Sequence, residues 1–361
     1  MKYAIGLMSG TSLDGADAAL IRSDGESRVE AIAFEALPFE RGLRDRLRLC
    51  LGGNASPAEI AEAERDLTLY HVPLVEALLE KSGLARHEVS VIGFHGQTLL
   101  HAPEQGRTWQ IGDGRLLADS LGIDVINDFR SADMAAGGQG APFAPLYHAA
   151  RAADLERPLA VLNIGGVANV TWLGRGPEDI QAFDTGPGNA LIDDWMWRHG
   201  AGASDLDGLC AARGQEDDAA LTLLFAHPYF RQPPPKSLDR DAFDTASLNS
   251  LSLNDGAATL TAFTVEAVAA ALQWLPEAPQ RWLVSGGGRH NPTMLKLLQE
   301  RLSCPVEPVE AVGWNGDAIE AEAFAYLALR SLAKLPLSLP STTGVAEPVS
   351  GGTRYLAAAA L

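Results

Sequence analysis

The chain opens on an apolar run, Tyr3 to Met8, that ends in the polar stretch Ser9-Gly10-Thr11-Ser12-Leu13-Asp14-Gly15, and a second apolar run, Ala16 to Ile21, follows. Two strands joined by a Gly/Ser/Asp turn predict a β-hairpin, with Val29 to Phe39 as the next strand. Between Pro57 and Lys81 the apolar residues Ile60, Ala63, Leu67, Tyr70, Leu74, Leu78 and Leu79 recur at helical spacing, behind Ser56-Pro57 as cap and first-turn residue. Val89 to Phe94 reads as a buried strand running into His95-Gly96-Gln97-Thr98, and a helix over Gly114–Leu121 leads to a strand over Asp124–Asn127. The glycine-rich stretch Ala135 to Pro142 then changes the texture, and we place the domain boundary there. Beyond it come a strand at Pro158–Asn163, a Gly165-Gly166 turn and a returning strand at Ala168–Leu173. Helices are expected over Ala190–His199, Asp218–Ala226, Gly256–Leu275 and Asp317–Leu332, with a strand at Arg281–Ser285 before Gly286-Gly287-Gly288. This mix predicts an α/β architecture in which each half opens on the same device, strand, glycine turn, returning strand. The expected domains are 1–132 and 133–344, with residues from about 345 to 361 able to pack back on the first.

Composition narrows the field. The 46 acidic against 28 basic side chains leave a net charge of −18, which repels a phosphate backbone and argues against nucleic acid as a partner. A small anionic ligand needs only a local cluster of donors and stays open. Cys50, Cys210 and Cys304 are far apart and form no CxxC or Cys/His pattern, so neither a disulfide framework nor a structural zinc site is expected. No signal peptide is apparent at the N-terminus and no apolar run of about 18 residues stands out, so we expect a cytoplasmic protein without a membrane segment.

Candidate chemistry sits at the glycine turns. Small residues at Ser9 to Gly15 expose backbone N–H groups and add hydroxyl donors, which suits a phosphate as well as an ordinary hairpin. Asn163-Ile164-Gly165-Gly166-Val167-Ala168-Asn169 and Ser285-Gly286-Gly287-Gly288-Arg289 repeat the device at strand ends, and no GxxxxGK[ST] loop accompanies them. In Phe183-Asp184-Thr185-Gly186-Pro187-Gly188-Asn189 a carboxylate stands between an apolar residue and a tight turn, just before a helix. Asp184 is then either a turn or cap residue or a rigidly held general base. An aspartic-protease reading fails, because no second Asp-Thr/Ser-Gly exists. His95 and His101 flank Gln97 in a loop without metal-ligand spacing, and Asp124, Asp128 and Asp133 read as solvated turn residues. Arg130, Lys236, Arg240 and Arg289 lie in loops beside glycine or proline turns, where a guanidinium or ammonium group can take a carboxylate or phosphate.

Taken together, Gly6 to Gly15, Phe94 to Thr98, Asp128 to Arg130, Gly137 to Pro142, Asn163 to Gly166 and Phe183 to Asn189 resemble the anhydro-N-acetylmuramic acid kinase family, and the likeness runs on through Ser285–Gly288, Asp317–Ala321 and Pro340–Gly344. Lys236-Ser237-Leu238-Asp239-Arg240 departs from the Lys-Ser-Thr-Gly-Arg often found there. The resemblance implies the sugar kinase, Hsp70 and actin fold, two ribonuclease-H-like α/β domains with ATP in the cleft between them. It implies ATP with Mg²⁺ as cofactor, Gly10, Thr11, Ser12, Leu13, Asp14, Gly15, Ala16 and Asp17 as one phosphate loop, and Asn163, Gly165 and Gly166 as the other, with Gly286, Gly287 and Gly288 near the adenosine. It further implies Asp184 as catalytic base, His95, Gln97, Arg130 and Glu320 on the sugar, no assigned metal-ligating side chain, and a homodimer. The implied reaction turns 1,6-anhydro-N-acetylmuramic acid, ATP and water into N-acetylmuramic acid 6-phosphate and ADP. A chaperone-like ATPase and a glycoside hydrolase with paired carboxylates are the competing classes.

Overall fold

The computed structural model describes residues 1–10, 12–240 and 242–358. The first apolar run forms β1 (Lys2–Ser9), which pairs antiparallel with β2 (Gly15–Ser23), itself antiparallel to β3 (Val29–Pro38). β4 (Val89–Ala102) and β6 (Val125–Asn127) then add in parallel, while β5 (Arg107–Ile111) folds back against the far end of β4. The second half repeats the plan. β7 (Leu159–Ile164), β8 (Val167–Leu173) and β9 (Ile180–Pro187) form an antiparallel meander, and β10 (Trp282–Ser285) and β11 (Val306–Pro308) extend it in parallel from β7. The orders β3-β2-β1-β4-β6 and β9-β8-β7-β10-β11 are the same third-second-first-fourth-fifth arrangement. This is the ribonuclease-H-like plan twice over, which the family resemblance implied and the shared layout of the two hairpins only hinted at.

β4 is longer than expected. His95, Gln97 and His101 lie inside it and not in a loop, because the segment from Gln97 onward finds a hairpin partner in β5 across a turn closed by Gly106. The helix over Pro57–Ser82 begins as its capping residues predict: Ser56 accepts the Glu59 amide while Glu59 reaches back to the Ser56 amide. Two glycines in the sheet explain how the Ile319–Leu332 helix docks. A Cβ on Gly6 would stand 1.8 Å from the Ala321 carbonyl oxygen, and one on Gly93 2.1 Å from that of Phe324. Bare backbone is the only surface on which this helix can seat so closely.

That helix also decides the division of the chain. One compact unit is Met1–Asp154 together with Ala318–Leu361, and the other is Leu155–Asp317. The boundary expected at 132/133 therefore falls within the first unit. The glycine-rich stretch beyond it is tied down by Asp133, which is 1% exposed and not a solvated turn residue. Asp133 accepts the Gly140 amide at 2.7 Å and the Thr343 hydroxyl at 2.5 Å, and the Gln139 amide bonds the Thr343 carbonyl. Asp124 likewise pairs with Arg354 and receives the Ala357 amide, holding the strand Thr353–Tyr355 beside β6.

Each unit has its own apolar core, with Ile5, Leu7, Leu20, Leu67, Leu78 and Phe94 in the first and Leu162, Phe183, Trp195, Phe263 and Leu298 in the second. Among the described residues, the stretch Leu253–Trp274 is long and apolar enough to cross a membrane by length and composition, yet Asn254, Asp255 and Glu266 interrupt it and 72% of its most apolar 18-residue window lies buried in the protein. Its apolarity serves the core of the second unit, where Leu260, Phe263 and Val268 are enclosed.

Candidate active site

In each unit the glycine turns gather at the carboxyl ends of the parallel strands, where open α/β sheets place their ligands. In the first unit the β1–β2 turn lies beside β4: Ser9 stands opposite Gln97 and its hydroxyl donates to the Gly96 carbonyl at 3.2 Å. Asp14 braces the turn by accepting from the Ser12 hydroxyl and the Gly15 amide at 2.8 and 3.0 Å. Thr11 lies outside the described residues. Leu13 and Ala16 carry side chains that belong to the hydrophobic core, 2% and 0% exposed, so only their backbone is available to a ligand. Asp17 is half-buried on β2, opposite Met8.

In the second unit the β7–β8 turn is built into its surroundings. The carbonyls of Gly165 and Gly166 accept from Asn189 and Gly188 at 2.7 and 2.9 Å, and the Asn189 side chain donates to the Ile164 carbonyl. Asn163 and Ser285 are paired across β7 and β10, which brings Gly286 to Gly288 against the same turn.

The glycines of these turns divide into two kinds. A Cβ on Gly15, Gly286 or Gly288 would run into neighbouring atoms at 2.7, 2.4 and 2.5 Å, so packing requires those three. On Gly10, Gly165, Gly166 and Gly287 its closest neighbour would be 3.4, 3.6, 3.6 and 3.6 Å away, and none of the four has a positive φ. Neither packing nor backbone strain accounts for these four, and their open ground is what a closely approaching ligand would occupy.

Asp184 sits on β9 and not in a turn. Asn169 of β8 stands opposite Asp184 and Ala168 opposite Gly186, so Thr185 is the extra residue of a β-bulge, with its hydroxyl bonded to the Ala168 carbonyl at 3.2 Å. The Thr-Gly-Pro-Gly sequence that reads as a turn is tolerated here because β9 is an edge strand, and a proline at its last position breaks no inner ladder. The Asp184 carboxylate is 7% exposed and accepts the Leu238 amide at 2.8 Å. Its own amide donates to the Lys236 carbonyl at 3.1 Å, and the Tyr229 hydroxyl donates to its carbonyl. The divergent Lys236–Arg240 loop is thus the clamp on this carboxylate. Tyr229 and the Leu238 backbone were not found from sequence, since nothing in local spacing connects them to position 184.

His95 and Arg130 form a pair in the first unit. Arg130 directs Nε and Nη2 at His95 Nε2, at 3.3 and 3.0 Å, and bonds the Gly140 carbonyl through Nη1 at 2.5 Å. His95 donates from Nδ1 to the Gly96 carbonyl at 2.8 Å. Burial and the Arg130 charge bring its pKa down to about 3, as a ring accepting from a guanidinium requires. A cavity of about 210 Å³ opens beside His95, lined also by Trp109, Asn127, Asp128 and Ser131. Gln97 is fully enclosed, donating to the Thr98 carbonyl at 3.3 Å, so a direct contact with a sugar would require it to be uncovered. Glu320 is exposed in the first turn of the Ile319–Leu332 helix.

The other cations are committed elsewhere. Arg289 is 6% exposed and bonds Glu310, Asp317 and the Gly286 carbonyl at 2.9, 2.7 and 2.9 Å, pinning the Gly286–Gly288 turn and not awaiting an anion. Arg240 pairs with Asp194 at the surface.

Comparisons with known proteins bear on the family of the chain. The model of the family described as anhydro-N-acetylmuramic acid kinase matches residues 2–357. The chain is 54% identical to the anhydro-N-acetylmuramic acid kinase of Rhodospirillum rubrum over 361 residues, covering 99% of this chain and 96% of that one. It is also 54% identical to the enzyme of that name from Rhizorhabdus wittichii, covering 98% of each. Among solved structures it resembles component A of the (R)-2-hydroxyglutaryl-CoA dehydratase of Acidaminococcus fermentans, with a TM-score of 0.49, 14% identity, and coverage of 91% of this chain and 99% of that one. A match from end to end at such identity settles the family: the chain belongs to the anhydro-N-acetylmuramic acid kinases and is an enzyme, a phosphotransferase.

Proposed function

We propose that this kinase uses ATP and water to open the 1,6-anhydro bridge of 1,6-anhydro-N-acetylmuramic acid and to phosphorylate the freed O6, giving N-acetylmuramic acid 6-phosphate and ADP in peptidoglycan recycling and amino-sugar catabolism. The observation that carries this reading is the Asp184 carboxylate, buried beside a bulge and held by the Leu238 amide. A base so fixed can take a proton from water as the water oxygen bonds to the anomeric carbon. The bond from that carbon to O6 breaks, and the oxygen released takes the γ-phosphoryl group while ADP leaves. Hydrolysis and transfer are joined because the first step makes the acceptor for the second.

The open glycines Gly10, Gly165, Gly166 and Gly287 fit the close backbone approach of a polyphosphate. Among the described residues no group of three His, Cys, Asp or Glu side chains is poised for a metal, and a Mg²⁺ carried in on phosphates needs no more than one or two carboxylates. Asp14 and Asp17 would supply them, and the ion would neutralise phosphate charge during transfer. Arg130, its plane set by His95 and Gly140, would receive the lactyl carboxylate of the sugar. We assign His95, the enclosed Gln97 and Glu320 to the sugar as well. ATP as donor places the reaction in the cytoplasm, and the family resemblance supports a homodimer.

Incubating the pure protein with the anhydro sugar, with and without Mg-ATP, tests the whole reading. ADP and sugar phosphate should form one for one, and neither without the other substrate. Reducing sugar released without ATP would mark a hydrolase, and ADP released without sugar an ATPase.

A further inference from the structure

We propose that Lys236 is a positioning residue whose buried ammonium group keeps the Asp184 carboxylate ionised, an inference that rests on Asp184 being the base. Lys236 is 7% exposed, unusual for a lysine. Its Nζ donates to the Tyr229 carbonyl at 3.1 Å and lies 4.3 Å from the centroid of the Tyr229 ring, with the rings of Trp274 and Phe183 at 5.6 and 5.9 Å. A cation in such an aromatic box is partly stabilised by the ring faces. Burial still pulls its pKa down to about 8, and the charge of Asp184 acts against that fall. The interaction is mutual. A carboxyl group this enclosed tends toward its neutral form, and a neutral acid cannot serve as base.

The loop joins both groups in one assembly. The carbonyl of Lys236 takes the Asp184 amide, the Leu238 amide takes the carboxylate, and Tyr229 touches both residues. Among the described residues, the groups facing Asp184 from the packed elements include Asn169 of β8, which is uncharged, the Tyr229 hydroxyl and Lys236. Of these, Lys236 carries the compensating charge.

The test is the pH profile of kcat at saturating ATP and sugar for wild type, Lys236→Met, Lys236→Arg and Asp184→Asn. In Lys236→Met the acid limb should move upward by about one pH unit or more, the usual effect of an opposite charge on a carboxyl group. Lys236→Arg, which keeps the charge, should restore most of that shift. A folded Lys236→Met enzyme whose limb stays in place, or a Lys236→Arg enzyme displaced just as far, overturns the proposal. Should Met prevent folding, Lys236→Gln gives the same reading while keeping a donor for the Tyr229 carbonyl. Asp184→Asn separates the two ideas. If it stays active with its limb unmoved, the base assignment itself is wrong; if it is inactive and the Lys236→Met limb is unshifted, only the role of Lys236 falls.

Discussion

Asp184 combines two properties that a turn residue would not need together, near-complete burial and a hydrogen bond to its charged form. Asp184→Asn keeps the shape and removes the proton acceptor. We expect kcat to fall on the order of 10²–10⁴, with the KM values for ATP and sugar and the melting temperature close to wild type. A large loss of thermal stability with activity retained would make Asp184 a structural residue. Arg130→Lys keeps the charge but loses the planar fork and its hold on His95. The KM for the sugar should rise while that for ATP barely changes, and equal effects on both would argue for a structural role. The motif around Asp184 stood out in the sequence because it is local, although its place on a strand and not in a turn did not. Nor did the support of Asp184, since Tyr229, Lys236 and Leu238 lie far along the chain and reach it through loop contacts with no periodicity to detect. The same reason hid the burial of Asp133, whose partner Thr343 is more distant still.

The two hairpins were the easiest elements to read, because strand, glycine turn and returning strand are neighbours in sequence. The glycines within them looked alike on paper and differ in space. Gly165→Ala adds a methyl where its nearest neighbour would be 3.6 Å away, so the protein should fold with stability within about 0.5 kcal/mol of wild type. Its KM for ATP should nevertheless rise, and unchanged ATP kinetics would remove this turn from the nucleotide site. Gly93→Ala should do the opposite. Its methyl would collide with the Phe324 carbonyl at 2.1 Å, and overpacking of this kind costs about 1–3 kcal/mol or more, read as a lower denaturation midpoint. β5 escaped the sequence reading because its partner is the unexpected continuation of β4, and an alternating polar segment such as Arg107–Ile111 gains its meaning only from that pairing.

At the scale of the molecule, the first unit encloses His71, His95 and His148, whose pKa values burial draws down to about 4, 3 and 3. Once unfolded, each ring takes up a proton as the pH falls through its ordinary value near 6.5, whereas the folded rings stay neutral to about pH 4. The unfolded chain binds more protons throughout that interval. Stability should therefore be level above about pH 6.5 and decline below it, by at most about 1.4 kcal/mol per pH unit for each ring. Urea midpoints measured from pH 8 to pH 5 check this, and a midpoint constant down to pH 5 would mean that the rings are protonated in the folded protein. The sequence located the change of texture before the second half but not the return of the chain to the first unit, because the small residues that seat the Ile319–Leu332 helix, Gly6 and Gly93, announce no partner. That return has a consequence for synthesis on the ribosome. Residues 155–317 are contiguous and can complete their unit as soon as they emerge. The residues made first must wait, with one side of their sheet bare, until the helix at 319–332 has been translated. The N-terminal unit is thus the last to mature, and a nascent chain stalled or cut short before residue 319 would present an uncovered sheet to chaperones or to its own kind.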